Sequence, residues 1–504
     1  MTGLHRTALT TSQKTQCAAM ALGGQEVHGT ISEVSREFGI SRPTVYEARS
    51  TAGEVLREHF EKEESAHRAV RIDVDDAQLE RAVVALRVMA PNAIRPIEEL
   101  VPILYPGVRV SYGKVQSILV QAEGQAKAFN AKADLSPIEA SALDEMFSQG
   151  EPVLAGVDLN SGYLFSLALR ESRSGEDWAE VLGEAKAQGL GLSVVVKDAA
   201  KGIEAGVAQV FPEAEQRDDC FHVLYELNKM RRRLEQRAYG AIAREQETQE
   251  GLRRIRAKDQ KRRRAQKQKM ARARRECQQA ITRFDAFDRA MGQVREAMEY
   301  VDLESGQLRS AEQARGLMAQ AAQAIAQIDE PGCGKLAGYL TNRVPGLSLA
   351  TAALNTELSA LSASYPASAV VLACMIWRLV SVLEKSPRSW QRSEHERLLL
   401  GAFAQLQSLL GPKTDELLHT VKGLLEKRYR ASSAIEGFNA ALRPYLYVHK
   451  GVTQNFLELF RAYYNLRTRR WGRHKGNSAH ECLTGTPVED WLSLLGYPPS
   501  STLH

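Results

Sequence analysis

The chain has 504 residues, 44% of them apolar and 25% charged, with a net charge of +5. That is ordinary globular composition with room for roughly two to four domains, and it excludes a collagen-like or wholly disordered chain. Six scattered cysteines with no Cys-x-x-Cys pair imply neither a disulfide framework nor a zinc knuckle.

Residues 1–7 lack the apolar core of a signal peptide, so a cytoplasmic protein is expected. Residues 12–22 have helical spacing, and Gly23-Gly24-Gln25 links them to a second helical run. In that run Thr30 and Glu33 make a capping-box pair, Val34 and Phe38 share an inner face, and Gly39 supplies a left-handed turn. Ser41 can cap the next helix, Pro43 is tolerated in its first turn, and Val45 points back to the core. This spacing resembles the helix-turn-helix families, whose second helix lies in the major groove of DNA. Arg42, Thr44 and Tyr46 would then face the groove and Arg49 would contact phosphate. The plain alternative is a helical hairpin with no DNA role.

Residues 59–77 are charged and aperiodic and read as a linker or a solvated helix end. Residues 78–129 are helical again, broken at Tyr105-Pro106-Gly107, with Ser111 capping the last helix. They form either a second DNA-binding unit or a packing module. Residues 136–147 read as one more helix. From Val153 the pattern changes: an apolar run ends on Asp158, Asn160-Ser161-Gly162 make a turn, and residues 163–169 return as a second strand. Residues 178–188 are helical, and residues 192–198 form a buried strand that ends on Asp198.

Burying one carboxylate at a strand end is costly, and burying two together is worse unless a cation lies between them. Acids at the ends of neighbouring strands therefore suggest a divalent ion with hard oxygen ligands, Mg²⁺ or Mn²⁺. In the plain alternative Asp158 starts its turn and Asp198 caps the next helix. Asp218 and Asp219 compete with Asp198, which is preferred because it ends the more apolar strand.

After His222 the chain is helical to about Arg430. Within it residues 252–275 are strongly basic, including Lys261, Arg262, Arg263 and Arg264. Charge of one sign at this density repels itself, and a phosphate backbone explains it better than an ordinary solvated face. Gly332-Cys333-Gly334-Lys335 fails as a phosphate loop, since Asp329 and Leu336 stand where Gly and Ser/Thr are needed, so no nucleotide cofactor is expected. The most apolar window, residues 367–383, is broken by Arg378 and is too short to span a bilayer, so no membrane partner is expected. In residues 431–444 Ser432 or Ser433 caps a helix with Ile435, Phe438 and Leu442 on one face. Glu436, Asn439 and Arg443 follow at spacings of three and four on an adjoining polar face.

In order and spacing, these pieces resemble the DDE transposases of the RNase H-like (retroviral integrase) superfamily. The likeness is greatest to bacterial insertion-sequence and Mutator-like enzymes, whose core is interrupted by a helical insertion. It is carried by residues 153–169 with Asp158, 178–189, and 193–212 with Asp198 and Lys201-Gly202. Asp219-Cys220-Phe221-His222, residues 433–443 with Glu436 and Asn439, and the tail over 465–492 complete it. The resemblance implies an α/β RNase H-like catalytic core interrupted by a large all-α insertion and preceded by all-α helix-turn-helix domains. The domains expected are 1–58, a linker at 59–77, a second helical unit at 78–135, core at 136–223, insertion at 224–430 and core again at 431–504.

The resemblance further implies that Asp158, Asp198 and Glu436 are catalytic acids. They would hold two divalent ions that activate a water or a DNA 3′-hydroxyl for in-line attack on a phosphodiester. Asn439 and Arg443 stand near that site. Cys220 and His222 resemble the Cys/His signature that precedes the insertion, with either a structural role or one beside the scissile DNA. Zinc is not expected from two ligands. The implied partners are double-stranded DNA, as terminal inverted repeats and target, and further copies of the chain. The competing readings are a non-catalytic helix-turn-helix regulator and a metal-dependent nuclease without strand transfer. One departure stands out: an RNase H-like core begins with three antiparallel strands, and only two can be placed. Either a third hides near residues 171–174 or the core is trimmed.

Overall fold

The computed structural model describes residues 9–24, 27–66, 74–198, 200–385, 390–448 and 451–499. The chain divides into two units, Met1–Val74 and Asp75–His504. In the first, α1 (Thr11–Gly23), α2 (Thr30–Glu37) and α3 (Arg42–Ala66) close over Cys17, Ala21, Val34 and Val45. Gly39 takes the left-handed φ of +61° in the turn between α2 and α3, and Ser41 Oγ accepts from the Thr44 backbone N–H at 3.4 Å. The expected capping box at Thr30 does not form. Gly29 at φ +99° caps α2, which begins at Thr30 itself, and the Thr30 hydroxyl instead donates to the Val27 carbonyl. The expected linker is shorter at its start, because α3 runs on to Ala66; residues 67–73 of it lie outside the described residues.

The second unit begins with α4 (Asp76–Met89), α5 (Ile94–Leu104) and α6 (Tyr112–Ala131), each packed on the other two. Asp75 and Ser111 cap α4 and α6 through the N–H groups of Gln78 and Lys114. The sheet follows. Residues 136–147 do not form the expected helix; β1 (Ala140–Ser148) occupies that place. Leu143, Met146 and Phe147 fall at helical spacing, yet β1 pairs along both of its edges, and that tertiary pairing overrides the local pattern. Gln149 and Gly150 take φ of 53° and 96°, the doubly positive two-residue turn that suits strand twist, and lead into β2 (Glu151–Asp158). Next come β3 (Leu164–Leu169), α7 (Gly175–Ala187), β4 (Val194–Lys197), α8 (Lys201–Val210) and β5 (Glu215–Asp218).

The strand order is β3-β2-β1-β4-β5, with β2 antiparallel to both β1 and β3, and β4 and β5 parallel to β1. The third antiparallel strand therefore precedes the other two. A core of Leu143, Leu154, Phe165, Trp178, Val195 and Ile203 joins the sheet to α7 and α8. The two helices approach so closely at Gly206 that a Cβ there would lie 2.4 Å from that of Trp178.

Between β5 and the last helices of the sheet lies an almost wholly helical region. It comprises α9 (Cys220–Arg254), α10 (Gln260–Ala297), the two-residue strands β6 (Val301–Asp302) and β7 (Gln307–Leu308), α11 (Ala311–Ala326), α12 (Cys333–Ala360), α13 (Ala367–Lys385), α14 (Trp390–Leu410) and α15 (Thr414–Glu426). With 35 and 38 residues, α9 and α10 are each more than about 50 Å long at about 1.5 Å per residue. They pack side by side and carry the basic run around the bend between them. α13 is long and apolar enough to cross a membrane by length and composition. Its inner face, however, packs in a cluster with α14 and α15, and Arg378 pairs with Glu299 at 3.3 Å.

The chain then returns to the sheet. α16 (Ser433–Val448) lies on β1 and β2, with Ile435, Phe438 and Leu442 fully buried. α17 (Gln454–Leu466) covers β3, and the Asn465 side-chain amide bonds both the N–H (2.8 Å) and the carbonyl (2.9 Å) of Leu164. α18 (Ala479–Thr484) and α19 (Trp491–Leu494) close the fold, and Arg81 of α4 binds Asp490 at 2.8 Å. The architecture is an α/β core with a five-stranded mixed sheet and a large complement of helices.

Candidate metal centre

Leu143 of β1 stands opposite Lys197, the last residue of the parallel β4, and an aspartate follows each of them, Asp144 and Asp198. Ligand atoms of Asp144, Asp198 and His222 all lie within 4.8 Å of one another. Asp144 Oδ1 accepts from the Glu145 N–H at 2.8 Å, and Oδ2 accepts from Asn439 Nδ2 at 2.6 Å. Desolvation outweighs these bonds and, with the neighbouring charge of Asp198, pushes the Asp144 carboxyl up to about 6. Asp198 Oδ1 accepts from the Ala200 N–H at 2.8 Å just ahead of α8.

The third member comes from α9. Asp219 caps that helix through the N–H groups of Phe221 (2.9 Å) and His222 (3.3 Å), and its Oδ2 meets His222 Nδ1 at 2.6 Å. The same carboxylate accepts from the Ser432 backbone N–H (3.0 Å) and hydroxyl (2.5 Å), just before α16. Burial works to raise the Asp219 carboxyl, but the bonds from His222, Ser432 and Phe221 outweigh it and hold the group below the usual carboxylate range. The hydrogen bond to Asp219 in turn raises His222 to about 9. His222 Nε2 faces Glu436 Oε1 of α16 at 3.6 Å. One buried acid thus orients the imidazole and anchors the start of the helix that carries Glu436.

Of the residues expected from sequence, Asp198, His222, Glu436 and Asn439 meet here. Asp158 does not. It pairs with Ser141, three residues along β1 from Asp144, and its carboxylate accepts from the N–H of Asn160 (3.2 Å) and from the N–H (2.7 Å) and hydroxyl (2.5 Å) of Ser161. Those are the bonds of a residue that starts a turn. Arg469 holds the same turn through the carbonyls of Ser161 (2.9 Å) and Gly162 (3.0 Å). Asp218, which competed for the second position, is bound by Arg343 at 2.8 Å and lies 3.8 Å from Lys197. Cys220 is a core thiol that burial raises to about 11, and Arg443 is exposed. Sequence reasoning missed Asp144 and the role of Asp219. A signal for Asp144 existed: an acid in the middle of an apolar run, followed by Gln149-Gly150 and a second apolar run, reads as a hairpin.

The donor set suits a hard divalent cation. Two carboxylates converge where the charge of one opposes ionisation of the other, and the buried Asn439 Oδ1 beside them has no hydrogen-bond partner.

Residues 151–330 match a family model described as a transposase, of the ISL3 DDE type. The family model covers 180 of the 504 residues. Its ISL3 type is an insertion-sequence transposase, as the resemblance implied. The matched segment opens at the first residue of β2 and takes in Asp198, Asp219 and His222, while Asp144 and Glu436 lie on either side of it. Comparison with curated proteins gives no match.

The residues expected to touch DNA are carried by other elements. Arg42, Thr44 and Tyr46 are exposed on the first turns of α3, and the Arg49 guanidinium lies 5.1 Å from the Tyr46 ring centroid. At the bend between α9 and α10, Lys261, Arg262 and Arg264 are exposed, and Arg263 donates to the Ile255 carbonyl at 3.1 Å. Among the described residues no carboxylate pairs with Lys261, Arg264, Lys267 or Lys269, whereas Arg262 reaches Asp259 at 3.4 Å.

Proposed function

We propose that the protein is a DDE transposase that cleaves DNA at the ends of a mobile element and joins them to target DNA, with Asp144, Asp198 and Glu436 as its catalytic acids. The observation that carries this reading is the meeting of Asp144 and Asp198 beside a histidine that faces Glu436. Asp144 takes the first position that the sequence suggested for Asp158. The strand order supports an RNase H-like core, since β1, β2 and β3 provide the three antiparallel strands such a core begins with. On this reading the helices from α9 to α15 are an insertion between β5 and the catalytic helix α16.

The three acids would hold Mg²⁺ or Mn²⁺, which when bound supplies Lewis-acid stabilisation to the oxygens of the phosphodiester under attack. The chain's own groups prepare the site. Asn439 and the Glu145 N–H orient the Asp144 carboxylate, and Asp219 fixes the imidazole so that Nε2 points at Glu436. Arg42, Thr44, Tyr46 and Arg49 of a helix-turn-helix unit would read the element's ends, and the basic bend would hold the backbone without regard to sequence. The protein would act in the cytoplasm on nucleoid DNA, as a homo-oligomer that pairs two ends.

The deciding experiment is strand cleavage and joining on DNA that carries the element's ends, with Mg²⁺ or Mn²⁺, comparing wild type with Asp144→Asn and Glu436→Gln. Cleavage by either variant at the wild-type rate would refute the assignment; cleavage without joining would leave a nuclease. Alanine at Lys261, Arg262 and Arg264 should flatten the salt dependence of binding, by about 0.9 in log–log slope for each phosphate the variant no longer neutralises.

A further inference from the structure

We propose that the groove along the first turns of α9 is a stacking site for an unpaired base of the DNA strand held at the metal centre. The proposal rests on the transposase reading. One face of α9 is core, with Val223, Leu227 and Leu234 buried. The other carries Phe221, Tyr225, Lys229 and Arg232 at spacings of four, four and three, which makes a continuous stripe. Phe221 and Tyr225 are 42% and 51% exposed, and their rings are close to parallel, with centroids 6.3 Å apart at 21°. Single exposed aromatics are commonplace on protein surfaces. Two aligned rings in a 410 Å³ groove lined with cations are a different matter.

The charge around the rings suits a phosphate backbone. Lys229 Nζ lies 5.5 Å from the Tyr225 centroid, although Glu226 also binds it at 2.9 Å. Arg232 and Arg295 of α10 have no carboxylate within ion-pair distance among the described residues, and Arg295 is directed by Asn228 Oδ1 at 3.3 Å. Aromatic faces with guanidinium and ammonium groups beside them are the physical requirements for holding single-stranded nucleic acid. A paired base inside a duplex has no free face to offer, so the occupant must be an extruded base or one on an unpaired end. The acids are two contacts from the groove: the Phe221 ring meets the His222 ring edge-on at 5.9 Å, and His222 faces Glu436 at 3.6 Å.

The test measures binding of the full chain, in chelator so that no strand is cut, to a blunt duplex and to the same duplex with a short thymidine overhang that carries 2-aminopurine. Wild type should bind the overhang duplex more tightly and quench the reporter. Phe221→Ala with Tyr225→Ala should lose roughly 5- to 150-fold of affinity for the overhang duplex, the usual effect of removing base–aromatic stacking, and none for the blunt one. Tyr225→Phe, which keeps the ring, should retain both the preference and the quench. A double variant that still prefers and quenches the overhang overturns the proposal, as does a wild type that binds both duplexes equally. Either result with metal-dependent cleavage intact removes the groove alone, whereas wild-type cleavage by Asp144→Asn would remove the transposase reading.

Discussion

Asp144 and Asp158 sit on neighbouring antiparallel strands only three register positions apart, yet their surroundings differ in kind. Asp158 ends its strand, and its carboxylate takes two backbone N–H groups and a hydroxyl within the next three residues. Every donor comes from the turn it starts. Asp144 lies mid-strand, takes one local N–H and one amide from a helix 295 residues away, and looks across at a second acid. The first environment stabilises a carboxylate for the sake of a turn. The second leaves a partly satisfied carboxylate beside another negative charge, which costs free energy unless a ligand or partner offsets it. On the proposed assignment, the source of an acid's hydrogen bonds is a better guide to its role than its proximity to an apolar run.

The hardest test of that contrast is catalytic. Asp144→Asn and Asp198→Asn should each lower metal-dependent strand cleavage by at least about 10³-fold, the scale on which loss of a central catalytic group is usually felt. Asp158→Asn, measured in the same assay, should stay within a few-fold of wild type. If Asp158→Asn proves as damaging as Asp144→Asn, the turn is part of the chemistry and the contrast fails.

A second test asks whether the acid cluster depends on its support. Asp219 touches no other acid of the cluster but holds both His222 and Ser432. Asp219→Asn should cost about 10- to 100-fold in activity or metal affinity, typical for a group that orients a ligand from behind. A positioning role predicts a larger change in the Mn²⁺ concentration needed for half-maximal rate than a change in fold content by circular dichroism.

A third separates the two aspartates without any DNA. At one hundred times its dissociation constant, a ligand bound only by the folded state stabilises it by about 2.7 kcal/mol. Mn²⁺ should therefore raise the thermal midpoint of wild type and of Asp158→Asn, and leave that of Asp144→Asn nearly unmoved. A full Mn²⁺ shift in Asp144→Asn would place the cation elsewhere.

Much of this arrangement was legible in the sequence, and the failures have identifiable causes. The strand that leads to Asp198 was readable because Val194, Val195 and Val196 are β-branched and continuous. The helix that carries Glu436 was readable from Ile435, Phe438 and Leu442. β1 was not, because both of its edges are paired and Leu143, Met146 and Phe147 mimic a helical stripe. Asp144 was lost with it. β5 was equally hidden: Glu215-Gln216-Arg217-Asp218 has no apolar residue, and only its parallel pairing with β4 makes it a strand. Asp219 looked like a spare acid, since its bonds to Ser432 cross 213 residues of chain. No local pattern records an interaction of that range.

The smallest effect is expected at Asp158 itself, and it is the one that closes the comparison. Asp158→Ala removes the acceptor for the N–H groups of Asn160 and Ser161 in a turn that Arg469 also grips from the C-terminal tail. Orphaning such donors costs about 1–3 kcal/mol where they are buried, and less at Asn160, which is only partly so. The thermal midpoint should fall by a few degrees while the cleavage rate per folded molecule and the Mn²⁺ shift persist. Asp158→Asn keeps one acceptor oxygen and should recover part of the loss. The order Ala, Asn, wild type in stability, set against a flat order in rate, is what a turn-forming aspartate predicts. A rate that tracks the stability order would instead mean that the Asp158 turn and the acid cluster at Asp144 respond as one unit through β1 and β2.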